Sequence, residues 1–169
     1  PDFVAKNAHS NIITSIKFDK KAEYLTSRSK DGTCKLWDVR SLKSPVYSWE
    51  GLKCDEVSNA SFSPDSSMVV AGTSEGSLKF FSRITGELLN DVVVSQEEGV
   101  NCLVWSAEVN QIFCGCSSGS IKVLYDPDAS YAGIMQCVSK PVKRKEAIGD
   151  WAIGLGSAGI VFVVFCCFF

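Results

Sequence analysis

The sequence predicts an all-β fold built from about three repeated units of four strands each. Three short apolar segments end in aromatic residues that are 44 and then 43 positions apart: Phe18, Phe62 and Trp105. Three glycines in turn-like stretches keep the same two spacings: Gly32, Gly76 and Gly119. A period of ~40–45 residues is that of one blade of a β-propeller. The chain is therefore expected to be a propeller fragment, followed by a C-terminal tail that does not belong to it.

Within each unit, short apolar runs alternate with turn residues, as in a series of antiparallel strands. In the first unit these runs predict strands over 12–18, 23–28, 33–38 and 45–49, with a tight turn at Asp31-Gly32 between the second and third. The expected unit boundaries are 9–52, 53–96 and 97–139. Residues 1–8, with a strand over 3–7, would be the outer strand of a preceding blade. Propellers have typically 4–8 blades, so the missing blades are expected on the N-terminal side.

Four polar residues of the first unit stand where WD40 repeats place theirs: His9, Ser27, Asp31 and Trp37. Their expected role is a buried hydrogen-bond chain that fixes the shape of the blade. A serine, a histidine and an aspartate can also form a hydrolytic triad. No nucleophile turn or oxyanion site accompanies them, which favours the structural role.

The other two units lack this set and are expected to hold by apolar packing instead. The second unit has Ala71, Glu75 and Phe81 at the corresponding positions, and the third has Cys114, Ser118 and Leu124.

Composition excludes several functional classes. The 17 basic and 19 acidic residues give a net charge of −2, which argues against a general nucleic-acid binder. The eight cysteines are expected to be reduced, and Cys114 and Cys116 lack the further ligands that a zinc site needs. No cofactor, metal or small-molecule substrate is expected, and nothing in the sequence predicts an enzyme.

Beyond the generic repeat, the chain resembles the WD repeat-containing protein 70 family, also called the gastrulation-defective protein 1 family. The stretches that carry the resemblance are LWDVR at 36–40, SPD at 63–65, GTS at 72–74, NQI at 110–112, KVLYDP at 122–127 and CV at 137–138. The resemblance covers residues 1–146 and implies the last blades of that family's propeller. It also implies a nuclear, non-enzymatic interaction scaffold linked to genome maintenance.

One motif suggests a particular partner. Trp37, Asp38 and Arg40 resemble the box with which many WD40 proteins dock on damage-specific DNA-binding protein 1, as substrate receptors of cullin-4 ubiquitin ligases. Docking requires Arg40 to be exposed and not bound within its own blade, so that its guanidinium can bind partner carboxylates or carbonyls. Arg28 and Lys30 flank the turn at Asp31-Gly32 and are further candidates for partner docking, or are solvated loop residues.

Two segments follow the last blade. Residues 140–150 form a basic linker whose cluster of Lys140, Lys143, Arg144 and Lys145 is typical of a nuclear-import signal, a nucleic-acid patch or a solvated tail. Residues 151–169 carry no charge, so the tail is either the product of a misread exon boundary or reading frame, or a membrane anchor. Two alternative functions therefore stay open: a propeller that binds chromatin or nucleic acid through Arg28, Lys30 and the basic cluster, and a tail-anchored membrane scaffold.

Overall fold

The computed structural model describes residues 4–54, 57–126, 130, 132–138 and 161–165. Three antiparallel sheets of four strands each account for its regular structure, apart from one four-residue helix. The prediction of an all-β propeller fragment with about three four-stranded blades is confirmed.

The strands follow one another along the chain within each sheet. The first sheet contains β1 (Ile13–Phe18), β2 (Tyr24–Ser29), β3 (Cys34–Asp38) and β4 (Tyr47–Trp49). The second contains β5 (Ala60–Phe62), β6 (Met68–Gly72), β7 (Ser77–Ser82) and β8 (Leu88–Val93). The third contains β9 (Val100–Ser106), β10 (Gln111–Cys116), β11 (Ile121–Tyr125) and β12 (Val161–Phe165). The helix α1 (Met135–Val138) precedes β12.

The strand register repeats from sheet to sheet. The apolar residue on the third strand pairs with an apolar residue on the second strand in each sheet: Trp37 with Leu25, Phe81 with Val69, and Leu124 with Ile112. The turn between these two strands contains a glycine in the left-handed region each time, at φ +79°, +80° and +84°. At Gly76 a side chain would also meet backbone oxygens, so the glycine is required there both by its φ and by close packing.

Apolar residues of neighbouring sheets pack face to face. One core joins Leu36 and Trp49 of the first sheet to Phe62 and Phe81 of the second, and the rings of Trp49 and Phe81 stack with centroids 4.7 Å apart. A second core joins Val70 and Phe80 of the second sheet to Leu103, Ile112 and Leu124 of the third. Successive side chains of a strand point to opposite faces of the sheet, so each interface consists of every second residue of the strands that form it.

Two segments differ from the expectations. Residues 4–8, the described part of the predicted preceding outer strand, form a turn and a bend. No neighbouring strand of the described chain pairs with them, and a strand needs such a partner. The second difference lies in the tail, where β12 pairs antiparallel with β11 and so supplies the fourth strand of the third sheet. Within the described residues, no helix is both long and apolar enough to cross a membrane.

Candidate functional site

A chain of hydrogen bonds runs across the first sheet and joins the four polar residues that its sequence singled out. The indole Nε1 of Trp37 donates to Ser27 Oγ at 2.8 Å, and Ser27 Oγ lies 2.7 Å from His9 Nε2. His9 Nδ1 lies 3.0 Å from Asp31 Oδ2. The side chains of His9 and Asp31 are 1% and 8% exposed, so the chain is buried.

The geometry fixes the direction of each bond. Because the indole can only donate, Ser27 Oγ accepts from it and turns its own hydrogen towards His9 Nε2. His9 Nδ1 then carries the ring hydrogen and donates it to Asp31. A neutral imidazole in this tautomer satisfies every member of the chain.

Thr33 is a further member that the sequence analysis missed. Its Oγ1 donates to Asp31 Oδ1 at 2.7 Å and lies 3.0 Å from His9 Nδ1, and its backbone N–H also bonds Asp31 Oδ1. The signal was present in the sequence, since an aspartate followed two residues later by a threonine is a common turn arrangement. The backbone N–H of Ser10 donates to Asp31 Oδ2 at 3.0 Å. Asp31 therefore ties together the turn and the loop that carries His9.

These contacts shift the ionisation of both titratable members. Burial lowers the pKa of His9 and outweighs the opposing effect of Asp31, while the nearby charges of Lys35 and Arg28 lower it further. Burial alone would raise the pKa of Asp31. The hydrogen bonds from Thr33, Ser10 and His9 outweigh burial and hold that pKa well below its ordinary range. The network thus consists of a neutral imidazole and a charged carboxylate.

Arg28 is a correction to the predicted docking surface, since its side chain is neither at the surface nor solvated. It is fully buried between the first and second sheets. Its guanidinium donates to the carbonyls of Thr33 at 3.0 Å and Leu52 at 2.5 Å, and lies 3.5 Å from the carbonyl of Gly72 in β6. The reason is that Arg28 lies within β2, on the side that faces the next sheet. Arg28 therefore joins two sheets and cannot contact a partner.

Arg40 meets only one of the two conditions set for docking. Its side chain is 75% exposed, but it is bound to its own blade. Nε donates to Asp38 Oδ1 at 3.0 Å and Nη2 to Asp38 Oδ2 at 2.7 Å, a bidentate pair. The side-chain hydrogen bonds from Arg40 lower the pKa of Asp38 to about 2. The guanidinium keeps further N–H donors, but its orientation is set by Asp38.

A shallow groove lies beside the buried network of the first blade. It consists of two adjoining clefts, of about 450 Å³ and 560 Å³, which share Asp31, Thr33 and Glu50. Gly51 to Lys53 line one cleft; Asn7, Lys35 and Ser48 line the other. Lys30 is partly buried at the turn nearby. The groove carries both positive and negative side chains. Ser27, whose hydroxyl bonds His9, is buried and does not line the groove.

The third sheet has a polar network of its own, which corrects the expectation that the later units hold by apolar packing instead. Ser120 Oγ donates to Glu98 Oε2 at 2.9 Å, and Ser118 Oγ bonds Ser120 Oγ at 3.0 Å. Lys122, whose side chain is only 9% exposed, lies 3.5 Å from the same carboxylate oxygen. The physical reason is that Lys122 is buried and needs a counter-charge, which Glu98 supplies. In the second sheet, Thr73 and Ser77 bond each other in the core.

The described cysteines can be compared with the expectation of reduced thiols. Among the described residues, no group of histidine, cysteine and acidic side chains could hold a metal ion. Burial raises the pKa of Cys34 to about 12, and likewise that of Cys114, so both thiols stay protonated. The basic cluster at Lys140, Lys143, Arg144 and Lys145 lies outside the described residues.

Comparisons with known proteins agree with this architecture. The model for the WD domain, G-beta repeat, matches residues 3–38, 43–82 and 90–124. The gastrulation defective protein 1 homolog of Drosophila melanogaster is 36% identical over 150 residues, which are 83% of this chain and 23% of that protein. WD repeat-containing protein 70 of Bos taurus is 35% identical over 153 residues, 85% of this chain and 23% of that protein. This chain thus spans under a quarter of the length of these relatives.

Among solved structures, a chain in the crystal structure of the mitotic checkpoint complex matches with a TM-score of 0.60. The match covers 73% of this chain and 38% of that chain at 19% identity, so it shows the likeness of the fold alone.

Proposed function

This chain belongs to the WD40 repeat family, and from that premise we propose that it is the partner-binding part of a non-enzymatic scaffold that acts in the nucleus. WD40 propellers generally bind other proteins through loops that a rigid set of sheets holds in place. The observation that carries the proposal is the groove at Asp31, Thr33 and Glu50, which lies directly on the buried hydrogen-bond chain of the first sheet. A groove on a rigid base loses little conformational freedom when a partner binds.

A charge reversal in the groove tests this function. Glu50→Arg changes an exposed groove residue, and Glu87→Arg makes the same change of charge at an exposed position in the turn before β8, away from the groove. Affinity purification of the full-length protein, followed by mass spectrometry, should show that Glu50→Arg loses partners that Glu87→Arg retains. If both variants keep every partner of the wild type, the groove is not the binding surface.

Nuclear location and a link to genome maintenance are further parts of the proposal. They are supported by the resemblance to the WD repeat-containing protein 70 family and by the basic residues at 140–145. Replacing Lys143, Arg144 and Lys145 by alanine in the full-length protein should shift it towards the cytoplasm, as measured by fractionation. An unchanged distribution would remove these residues as the import signal.

Docking on damage-specific DNA-binding protein 1, as a cullin-4 adaptor, is the second candidate. It is favoured by the exposure of Arg40, whose side chain is 75% exposed and keeps N–H donors beyond the two that bind Asp38. The bidentate pair with Asp38 counts against it, because a partner carboxylate would have to compete with Asp38 for the same edge of the guanidinium.

Two variants separate these effects. Arg40→Ala removes the guanidinium and should abolish co-precipitation of damage-specific DNA-binding protein 1 without changing the thermal melt. Asp38→Asn weakens the internal pair but keeps the guanidinium, so it should preserve or increase binding. Absence of binding in the wild type, or binding that survives Arg40→Ala, would leave only the scaffold.

Direct binding of nucleic acid is the alternative that the geometry favours least, because burial removes Arg28 from the surface. It predicts an affinity that falls steeply with salt, since phosphate contacts release counterions. Weak salt dependence of the interactions found by affinity purification would support a protein partner instead.

A further inference from the structure

Arg28 stands where the other two sheets have a glycine. By the repeat spacing of 44 and 43 residues, its equivalents are Gly72 in β6 and Gly115 in β10. An arginine is almost never fully buried unless a carboxylate pairs with it. Arg28 is 0% exposed, yet within the described part of the chain no carboxylate forms an ion pair with its guanidinium. Its hydrogen bonds go to backbone carbonyls instead.

The arginine changes how the first sheet packs on the second. Where the second sheet packs on the third, Val100 lies directly against Gly72: a Cβ at Gly72 would be 2.7 Å from the Val100 carbonyl oxygen and 3.0 Å from its Cγ1. Val100 is accordingly 1% exposed. Its repeat equivalent between the first and second sheets, Val57, is 59% exposed. The side chain of Arg28 thus takes the space that a valine fills between the next two sheets, and it keeps the first two further apart at this end.

The same guanidinium joins the two walls of the first cleft of the groove. On the side of the first sheet it donates to the carbonyl of Thr33 at 3.0 Å. On the other side it donates to the carbonyl of Leu52 at 2.5 Å and to that of Lys53 at 3.5 Å. Thr33 and residues 50–53 line this cleft, whereas Arg28 does not. Arg28 therefore binds the lining of the groove from within the protein.

The Leu52 carbonyl depends on Arg28 more than the other acceptors do. The carbonyls of Thr33 and Lys53 also accept backbone N–H groups, at 3.2 Å and 2.9 Å. Among the described residues, Arg28 is the one donor to the Leu52 carbonyl. A carbonyl that loses its donor inside a protein is costly, but a loop carbonyl can turn to water. Without Arg28, we expect residues 50–53 to turn and the wall of the cleft to change shape.

We propose that Arg28 is a positioning residue of the groove, which keeps the first two sheets apart and holds residues 50–53 in the form that partners bind. The inference rests on the proposed function of the groove as a partner-binding surface. Arg28 acts through the Leu52 carbonyl and does not touch the partner, because its own side chain is fully buried.

Arg28→Met separates positioning from a role in stability alone. Methionine is unbranched and apolar, so it occupies the space between the sheets but releases the Leu52 carbonyl. Since replacing a buried ion pair by apolar residues of similar volume is often neutral or stabilising, removal of a lone buried cation should not unfold the protein. Arg28→Lys keeps a cationic donor and is the conservative variant. Arg83→Met is the control, because Arg83 lies between the same two sheets at their other end, where it donates to the carbonyl of Ser66 at 2.6 Å.

The variants are compared in the full-length protein by thermal melts, hydrogen exchange and affinity purification with mass spectrometry. Arg28→Met should keep the melting temperature of the wild type and lose the partners that Glu50→Arg loses. It should also speed exchange of the Leu52 amide, which bonds the carbonyl of Gly32 at 2.9 Å, at least tenfold. Arg28→Lys and Arg83→Met should keep both the protection of this amide and the partners.

Three results would overturn the positioning role. Unchanged exchange at Leu52 in Arg28→Met would show that the arginine does not hold the loop. Faster exchange with every partner retained, when Glu50→Arg loses them, would show that the position of the loop does not matter. Loss of partners in Arg28→Lys with the Leu52 amide still protected would place the effect outside the loop. Retention of all partners by Glu50→Arg as well as Arg28→Met would reject the groove as the binding surface, and with it the proposed function.

Discussion

Asp31 and Glu98 perform the same task, but Asp31 lies in the turn between the second and third strands of its sheet and Glu98 in the loop before the first strand. In the first sheet the acid comes from the turn between β2 and β3, and the loop before β1 supplies the imidazole of His9. In the third sheet the loop before β9 supplies the acid, Glu98, and the corresponding turn supplies the hydroxyls of Ser118 and Ser120. Each arrangement bonds the loop that precedes a sheet to the turn within it.

The buried carboxylate of Asp31 should matter more to stability than its counterpart in the second sheet. Asp31→Ala leaves the His9 ring, Thr33 and the Ser10 N–H without an acceptor, which costs ~1–3 kcal/mol. Glu75 pairs with Lys53 on the exposed surface, and an exposed ion pair contributes little, so Glu75→Ala should have a much smaller effect. Denaturant melts of the two variants check this. Equal losses would mean that the network adds nothing to the free energy of unfolding.

The ionisation of His9 makes stability depend on pH. Because its pKa is lowered in the folded state, the unfolded chain binds more protons, and stability falls as the pH drops below the ordinary histidine pKa of about 6.5. His9 is the single histidine of the sequence, so titration in this window belongs to it. Urea melts between about pH 7 and pH 5 should show this loss, and His9→Gln should flatten it. A wild type that gains stability on acidification would contradict the sign.

At the scale of the elements, polar side chains join the inner strands of neighbouring sheets. Thr14 Oγ1 in β1 donates to the carbonyl of Ser58 at 2.7 Å. The side-chain amide of Asn59 binds both backbone groups of Leu103 in β9. Its Nδ2 donates to the Leu103 carbonyl at 3.0 Å, and its Oδ1 accepts from the Leu103 N–H at 2.8 Å. These hydrogen bonds are directional, so they fix the position of one sheet relative to the next, which apolar packing alone would leave less well defined.

Removing the Asn59 amide should loosen the second interface selectively. Asn59→Ala leaves the Leu103 N–H and C=O without their partners, at a cost of ~1–3 kcal/mol, and should speed hydrogen exchange at the Leu103 amide. Asn90→Ala, at an exposed position of β8, is the matched control and should leave exchange unchanged. Equal protection of Leu103 in both variants would show that apolar packing alone aligns these sheets.

The sequence predicted those features that depend on neighbouring residues or that recur in each repeat. The spacing of the aromatic residues and glycines predicted the three sheets, and Asp31-Gly32 predicted a turn that the structure contains. Arg28 was placed wrongly, because periodicity shows that it lies beside a turn but not which side of the strand faces the next sheet. Gln111, a buried amide of β10 that bonds the backbone of Ala132 and Ile134, was missed for the opposite reason. Its partner is a segment more than 20 residues away, and no repeat spacing points to it.

On the scale of the whole molecule, the two ends of the stack of sheets differ. The outer face of the third sheet is partly covered by Ile134, which packs on Val123 and Tyr125, whereas the first sheet exposes Ile16 and Phe18 to 54% and 56%. At the repeat-equivalent positions of the second sheet, Ala60 is 0% and Phe62 is 7% exposed, because the first sheet covers them. An uncovered apolar face of this kind marks an interface. Since the chain spans 23% of the relatives' length, we expect a preceding blade to cover it in the complete protein.

A charge on this face tests that expectation. In the isolated 169-residue chain, Phe18→Asp places a carboxylate in solvent and should change the free energy of unfolding by less than ~0.5 kcal/mol. With a preceding blade present, the same substitution removes a buried aromatic ring and desolvates a charge, so we expect a loss of ~2 kcal/mol or more. Phe62→Asp should be costly in both proteins, because the first sheet already buries Phe62. Denaturant melts of the four variants and of the two unsubstituted proteins make the comparison. If Phe18→Asp were as harmless in the complete protein as in the isolated chain, its ring would be exposed in both, and the first sheet would be an end of the stack with no blade before it.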